Sequence, residues 1–455
     1  MRLSFSYLFG AGRRMKIENT QAIGQVRRLL LGITLASLGT LSCARAATVD
    51  VNVWYGMNAH NDAAFQNLAK EFNRSQDSVR VVLKAFDSPE AVESALRASV
   101  GRPGATPNLA QMNDSREPDG PYKSRYVLPL HVLLAKHPMR GVKWFLSGTD
   151  TFAHDTRGRL TAFPYMASVP VMFYNTNAFH KAKIAPTVPQ RTWLGLQAQL
   201  VTLANGGSRA CPLTVGVPVA VDLESLASVN QQFYASGDNG FKARGTPKFN
   251  FDLLYVRHLS LMKSWVSAGI MVRPETATQA AAKFASGDCA VLMADSSDIG
   301  QFIGAHALNF GVSGLPYYPE ATRAPGNAFV GGSALWAISG HSAAQDKATA
   351  QFLAWLAQPA NASKWYQETG YLPLTAEAFA ATGADYYRRL AGWRDVAASY
   401  AMQPDVTGRG FWVNNYPRIR TMLRAALDRA LAGQEAAVPT LRAAAAQADG
   451  MMRER

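Results

Sequence analysis

The stretch Val49-Asp50-Val51-Asn52-Val53-Trp54-Tyr55 opens by alternating apolar and polar side chains, the period of a half-buried β-strand. Phe65, Leu68 and Phe72 follow at helical spacing, residues 79–83 form a second β-rich run, and residues 90–100 are amphipathic with helical period. A Gly/Pro-rich turn over 101–107 then leads into a third candidate strand at 109–112. This β-α-β-α-β opening predicts an α/β protein. A second such region begins at residue 169, with strand candidates at 169–174, 290–293 and 310–315 and a helix over 193–203. Val256, Leu259, Met262 and Val266 form a further helical stripe. Near the end, Ile419, Met422, Leu423, Ala426, Leu427 and Ala430 recur at i, i+3 and i+4 before Gly433, and 443–448 is an alanine-rich helical stretch. Two α/β lobes with a groove between them are expected.

Length and composition agree with that reading. The 455 residues hold enough chain for two or three cores. With 48% hydrophobic and 17% charged residues, the composition excludes a disordered chain, a collagen-like repeat and a disulfide mini-scaffold. Arg27 and Arg28 precede an apolar stretch at 29–41 and the A-x-A pattern Ala44-Arg45-Ala46, which together predict an export signal over 1–46. Met15 followed by Lys16 is a more typical start for such a signal than Met1. Lipidation at Cys43 is the alternative, although Thr40 stands where a lipobox normally has Leu. Cleavage after Ala46 removes seven Lys or Arg and one acid, so 39 basic against 31 acidic residues leave +8 in place of +14. The remaining cations are scattered, without the clusters that nucleic acid requires. Cys211 and Cys289 survive cleavage, and an even pair in an oxidising compartment favours a structural disulfide over a catalytic thiol.

Catalytic motifs are scarce. Eight dispersed histidines form no H-E-x-x-H or Cys/His metal spacing, and there is no G-x-S-x-G elbow, P-loop or dinucleotide-binding G-x-G-x-x-G after a strand. Carboxylates are plentiful, so an exported hydrolase stays open as an alternative. The most informative anomaly lies at the start of the last helix. Asn415, Tyr416 and Pro417 mark its N-terminal boundary, yet Arg418 and Arg420 follow, and cations there oppose the helix dipole by about 0.3 to 1 kcal/mol each. A bound anion would compensate, since free backbone N–H groups and a guanidinium fork both suit phosphate. Water or a surface acid is the other possibility. Gly331-Gly332, between Phe329-Val330 and the apolar run 334–338, suggests a hinge or a close approach of backbone to ligand, with a β-bulge as the alternative. Tyr371 is fixed between Gly370 and the Leu372-Pro373 turn.

Three segments carry a family resemblance: Phe284-Ala285-Ser286-Gly287-Asp288-Cys289-Ala290, then Phe329-Val330-Gly331-Gly332-Ser333-Ala334-Leu335-Trp336, then Trp365-Tyr366-Gln367-Glu368-Thr369-Gly370-Tyr371-Leu372-Pro373. From about Val49 to the C-terminus the chain resembles the extracellular solute-binding proteins of ABC importers, and among them the branch that captures glycerol phosphates. The resemblance implies a two-lobed periplasmic-binding-protein fold, with 47–165 plus 332–370 as one lobe and 166–331 plus 371–455 as the other, closing on ligand by hinge motion. It assigns ligand contacts to Asp114, Ser168, Gly332, Tyr371 and Arg420, with Asp114 in place of the family's Glu. Three departures accompany these matches. Pro89 stands where the family has a tyrosine, and Asp295 where it has a serine that Ser296 could replace. Val217 and Ala220, within Gly216-Val217-Pro218-Val219-Ala220, stand where it has two tryptophans, so the pocket should be larger. The implied protein performs no catalysis, needs no cofactor or metal, does not bind nucleic acid and acts as a monomer. It would pass a phosphorylated glycerol ligand to an inner-membrane permease and its ATPase subunits. A neutral-oligosaccharide receptor on the same fold is the alternative.

Overall fold

β1 (Val49–Tyr55) forms where the alternation predicts it and buries Val51, Val53 and Tyr55. The computed structural model describes residues 47–102, 104–118, 124–206, 210–305 and 308–454; the export-signal reading of 1–46, with Met15 and Cys43, lies outside them. β1 pairs in parallel with β2 (Val79–Ala85) and β3 (Leu109–Asn113). The helices Ala59–Ser75 and Pro89–Ser99 make the crossovers. Each begins with a side-chain cap, from Asn58 to the Asn61 N–H and from Ser88 to the Ala91 N–H. Pro89 therefore occupies the first turn of a helix, where its missing N–H costs nothing. β4 (Val127–Leu128) and β5 (Phe163–Ser168) join the same sheet.

The chain then leaves this sheet through a single residue, Val169, and starts a second one. β6 (Pro170–Asn175), β7 (Cys211–Val215), β8 (Met271–Val272), β9 (Cys289–Asp295) and β10 (Phe310–Ser313) are ordered β10-β6-β9-β7-β8. β7 is parallel to β8 and β9, while β6 is antiparallel to β9 and β10. Cys211 lies opposite Cys289 on adjacent strands, and the two form a disulfide that spans 78 residues of sequence. β11 (Gly331–Ile338) returns to the first sheet and pairs antiparallel with β3, β4 and β5. The pairing of β5 with β11 places Phe163–Ser168 in the first sheet, past the lobe boundary at residue 165 that the resemblance suggests. All six residues of β5 are buried, so it lacks the alternation that reveals a strand facing water on one side.

The helical expectations correspond to Trp193–Asn205, Leu253–Ser267, Tyr416–Leu431 and Ala437–Met451. In the third of these, Ile419, Leu423, Ala426, Leu427 and Ala430 are buried, matching the predicted stripe. Its partners include Trp265, Phe411 and Leu441 in the core of the second lobe. Each sheet packs one face on a core of its own, a third core takes Met112 and Trp336 from the first sheet and Phe173 and Leu292 from the second, and backbone crossings at Val169 and Val330 connect the two.

Candidate ligand-binding site

In open α/β sheets ligands bind beyond the carboxyl ends of the strands. Here those ends converge on one set of side chains. β3 runs out into Asp114 and Arg116, β9 ends at Asp295, β5 ends at Ser168, and β7 leads through Gly216 into a turn of π-helix, Ala220–Glu224. π-turns are rare and recur at functional sites. This one is entirely buried and directs two acids inward. Asp222 meets His258 Nε2 at 3.1 Å in the core of the second lobe. Glu224 accepts from the Tyr416 hydroxyl at 2.7 Å and from Arg420 Nε at 2.8 Å.

The Glu224–Arg420 pair answers the anomaly at the start of the last helix. Asn415, in the left-handed region at φ 57°, supplies no side-chain cap, because its amide donates instead to the carbonyls of Met451 and Glu454. Arg418 pairs with Glu454 at 2.7 Å, both exposed. Arg420 pairs with Glu224, whose side chain is 6% exposed against 48% for the arginine. Burial opposes charge on Glu224, but Arg420, Arg116 and the Tyr416 hydroxyl outweigh it and hold its carboxyl below the ordinary value. Glu224 in turn raises the Arg420 pKa further, so this guanidinium stays charged. Only its Nε has a protein acceptor among the described residues.

The other expected contact residues form a connected line from this pair to the first sheet. Asp295 accepts from the Ser168 hydroxyl at 3.2 Å and interacts electrostatically with Arg420 and Glu224. Burial raises its pKa despite Arg420 and Ser168. Ser296 is fully buried, donates its N–H to Val169 O at 2.8 Å and accepts the Val169 N–H on its hydroxyl at 3.3 Å, which fixes the crossing from behind. Tyr371 is buried, stacks on Trp365 at 5.5 Å, donates its N–H to the Thr369 hydroxyl at 3.4 Å and feels the charges of Asp295 and Asp298. Asp114 donates its N–H to Gly332 O at 3.2 Å and lies 3.7 Å from Arg116 Nε. Val217 and Ala220, in place of the family's indoles, precede or begin the π-turn.

Two participants had no place in the sequence reading. Glu224 had a signal: with Asp222 it is one of two acids in an otherwise apolar or small stretch from 217 to 229, and a buried carboxylate demands a partner. Arg116 had none. It lies in a loop at φ 56°, is buried, donates to Val330 O through Nη2 and rests on the Phe411 ring at 5.0 Å, while its carbonyl accepts the Val413 N–H.

The β-bulge reading of the Gly331-Gly332 segment has a counterpart in the strand register, and Gly332 lies close against β5. The register between β11 and β5 shifts between Ser333 and Leu335, and Gly332 sits at φ 90°. A Cβ on Gly332 would meet Met166 O at 2.4 Å and Ser168 Oγ at 2.8 Å. Gly332→Ala should therefore destabilise by about 2 to 3 kcal/mol, from the left-handed backbone and the backbone clash together. Gly331→Ala, whose Cβ would meet only Arg116 Nη2 at 3.3 Å and so needs that side chain to give by a few tenths of an ångström, should cost less, under about 1 kcal/mol. Equal losses on chemical denaturation would refute this account of the glycine pair.

Known proteins share this architecture and about a quarter of the sequence. The pattern of the bacterial extracellular solute-binding proteins matches residues 67–389. The sn-glycerol-3-phosphate-binding periplasmic protein UgpB of Yersinia pseudotuberculosis is 28% identical over 412 residues, covering 89% of this chain and 92% of that protein. The protein of the same name from Rhizobium meliloti is 27% identical over 420 residues, covering 91% and 96%. Among solved structures, UgpB from Mycobacterium tuberculosis in complex with glycerophosphocholine superposes with a TM-score of 0.71 at 18% identity, covering 90% of this chain and 98% of that one. Maltose-bound MalE3 of T. maritima reaches the same TM-score at 13% identity, covering 89% and 100%. Two lobes joined by backbone crossings, strand ends that gather polar side chains between them, and a sequence pattern that spans most of the chain have one common explanation: the protein belongs to the bacterial extracellular solute-binding protein family, whose members serve as the solute-binding components of ABC importers.

Proposed function

We propose that this chain is a periplasmic receptor that captures sn-glycerol 3-phosphate or a glycerophosphodiester and delivers it, unchanged and as a monomer, to an inner-membrane ABC permease with its ATPase subunits. The observation that carries this reading is Arg420. Its half-exposed guanidinium is anchored through Nε alone and keeps two terminal nitrogens for the bidentate geometry that phosphate favours. In this reading Asp114, Ser168 and Tyr371 orient hydroxyls, and Ser296 holds the crossing beneath them. The backbone at Gly332 approaches the ligand closely. Lobes 47–165 plus 332–370 and 166–331 plus 371–455 close on the ligand, with the strand crossing itself at Val169. The relatives named for sn-glycerol 3-phosphate support the ligand class.

A neutral-oligosaccharide receptor is the second reading. Carboxylates suit sugar hydroxyls, several gather here, and a maltose-bound protein shares the fold. Calorimetric titration of the mature protein with sn-glycerol 3-phosphate, glycerophosphocholine and maltose separates the two. Heat from at least one phosphate compound, at about micromolar affinity or about −8 kcal/mol, is the expected result. Heat from maltose alone would replace this reading with the second.

A further inference from the structure

The charges between the sheets do not balance in favour of an anion. Arg116 already has Asp114 beside its Nε at 3.7 Å, and Arg420 already has Glu224 at 2.8 Å. Among the described residues, Asp295 is left without a cation bonded to it. Its hydrogen-bond partner is the neutral Ser168 hydroxyl at 3.2 Å on β5. Arg420 reaches it only electrostatically and divides that attraction with Glu224. From the other elements around it come Tyr371, which follows the helix Pro359–Thr369, and Asp298 in the turn after β9, a further carboxyl that Asp295 disfavours. Burial pushes Asp298 up to about 7 and raises Asp295 as well, so both carboxyls lose their charge more readily as pH falls and repel an anion most at alkaline pH. The first negative charge of a ligand meets the free fork of Arg420, but a second one meets the Asp295 carboxylate, to which neither guanidinium is directly bonded.

Resting on the organophosphate reading, we propose that Asp295 is a specificity-determining residue that admits a monoanionic phosphodiester and discriminates against a dianionic phosphomonoester. A phosphodiester carries one negative charge across the physiological range, whereas a monoester loses its second proton near about pH 6 and then carries nearly two. Like charges brought together in a partly desolvated site cost far more than in water, so the second charge decides the preference. A carboxamide at this position removes the repulsion and offers an N–H donor to a phosphate oxygen.

The test is titration at pH 8 with sn-glycerol 3-phosphate, glycerophosphoglycerol and glycerophosphocholine, in the wild type and in Asp295→Asn. The wild type should bind both diesters at least about tenfold more tightly than the monoester. Asp295→Asn should narrow that gap by about tenfold, chiefly by tightening the monoester. The wild type alone supplies a second arm: acidification from pH 8 to 5.5 should tighten the monoester more than either diester. Equal affinities for monoester and diesters at pH 8, or a gap unchanged in Asp295→Asn and by acidification, would overturn the inference while leaving the organophosphate reading standing. Tight glycerophosphocholine with no glycerophosphoglycerol binding would also overturn it, because the choline cation would then be what is recognised. No heat from any phosphate compound would overturn both.

Discussion

Replacing Arg420 with alanine is expected to weaken binding of the organophosphate by about 100- to 1000-fold, or about 3 to 4 kcal/mol, and to lower the melting midpoint at neutral pH, because the buried Glu224 loses its main cation. Two effects act in the same direction. The guanidinium fork is lost, and Glu224, buried at the end of the π-turn, is left with Tyr416 and the more distant Arg116 to balance its charge. The helix itself survives, because Ile419, Leu423 and Leu427 hold it to the core of the second lobe. A double variant with Glu224→Gln separates the two effects. If Arg420 acted only by neutralising Glu224, the double variant would bind like the wild type. If it grips the ligand, the double variant stays weak. Arg420→Lys keeps the charge but not the fork and should fall between wild type and alanine. Stability carries a pH signature as well. Glu224 has a depressed pKa, so its contribution is present above the ordinary value of 4.5 and fades as pH falls through the native one. Arg420→Ala should flatten that acid limb. A variant that binds glycerol phosphates as tightly as the wild type would sink the assignment of this residue.

How far the sequence could lead to this site depended on the kind of signal each residue left. Strands that face solvent on one side, such as β1, announced themselves by alternation, and the amphipathic helices by their stripes. β5 is buried on both faces and β4 and β8 are two residues long, so they offered no period to read. Arg420 was legible because it breaks a local rule, sitting where a helix dipole disfavours a cation. Its partner was not, because the pairing joins residues 224 and 420 through tertiary structure alone. The same holds for Arg418, whose acid, Glu454, sits just beyond the last helix. Asp114, Ser168 and Tyr371 are ordinary polar residues in turns or at strand ends, and only the family resemblance could single them out. The departures at Val217 and Ala220 were legible as lost bulk, but not the π-turn in which that segment ends, whose Leu223 carbonyl is held by the Tyr255 hydroxyl, from the helix Leu253–Ser267, at 3.2 Å.

The disulfide differs from Arg420 in what it does to binding: a large loss of stability with affinity retained. Replacing Cys211 and Cys289 together with alanine is expected to destabilise by about 4 to 5 kcal/mol, because the link closes a long loop, spanning 78 residues, and restricts the unfolded chain. Chain entropy of the unfolded state does not enter a binding equilibrium between folded forms, so the dissociation constant should change little. The native register supports that expectation. Leu213, Thr214 and Val215 on β7 remain paired with Val291, Leu292 and Met293 on β9 through backbone hydrogen bonds that the sulfurs do not supply. These two strands run toward the site, one into the π-turn that holds Glu224 and the other to Asp295, so any slip in their pairing would shift both carboxylates against Arg420. Chemical denaturation and titration of the same double variant therefore decide the matter together. Undiminished stability would show that the cross-link does not constrain the unfolded chain. Lost affinity would show instead that the disulfide, rather than the β7–β9 ladder, keeps the carboxylates in place.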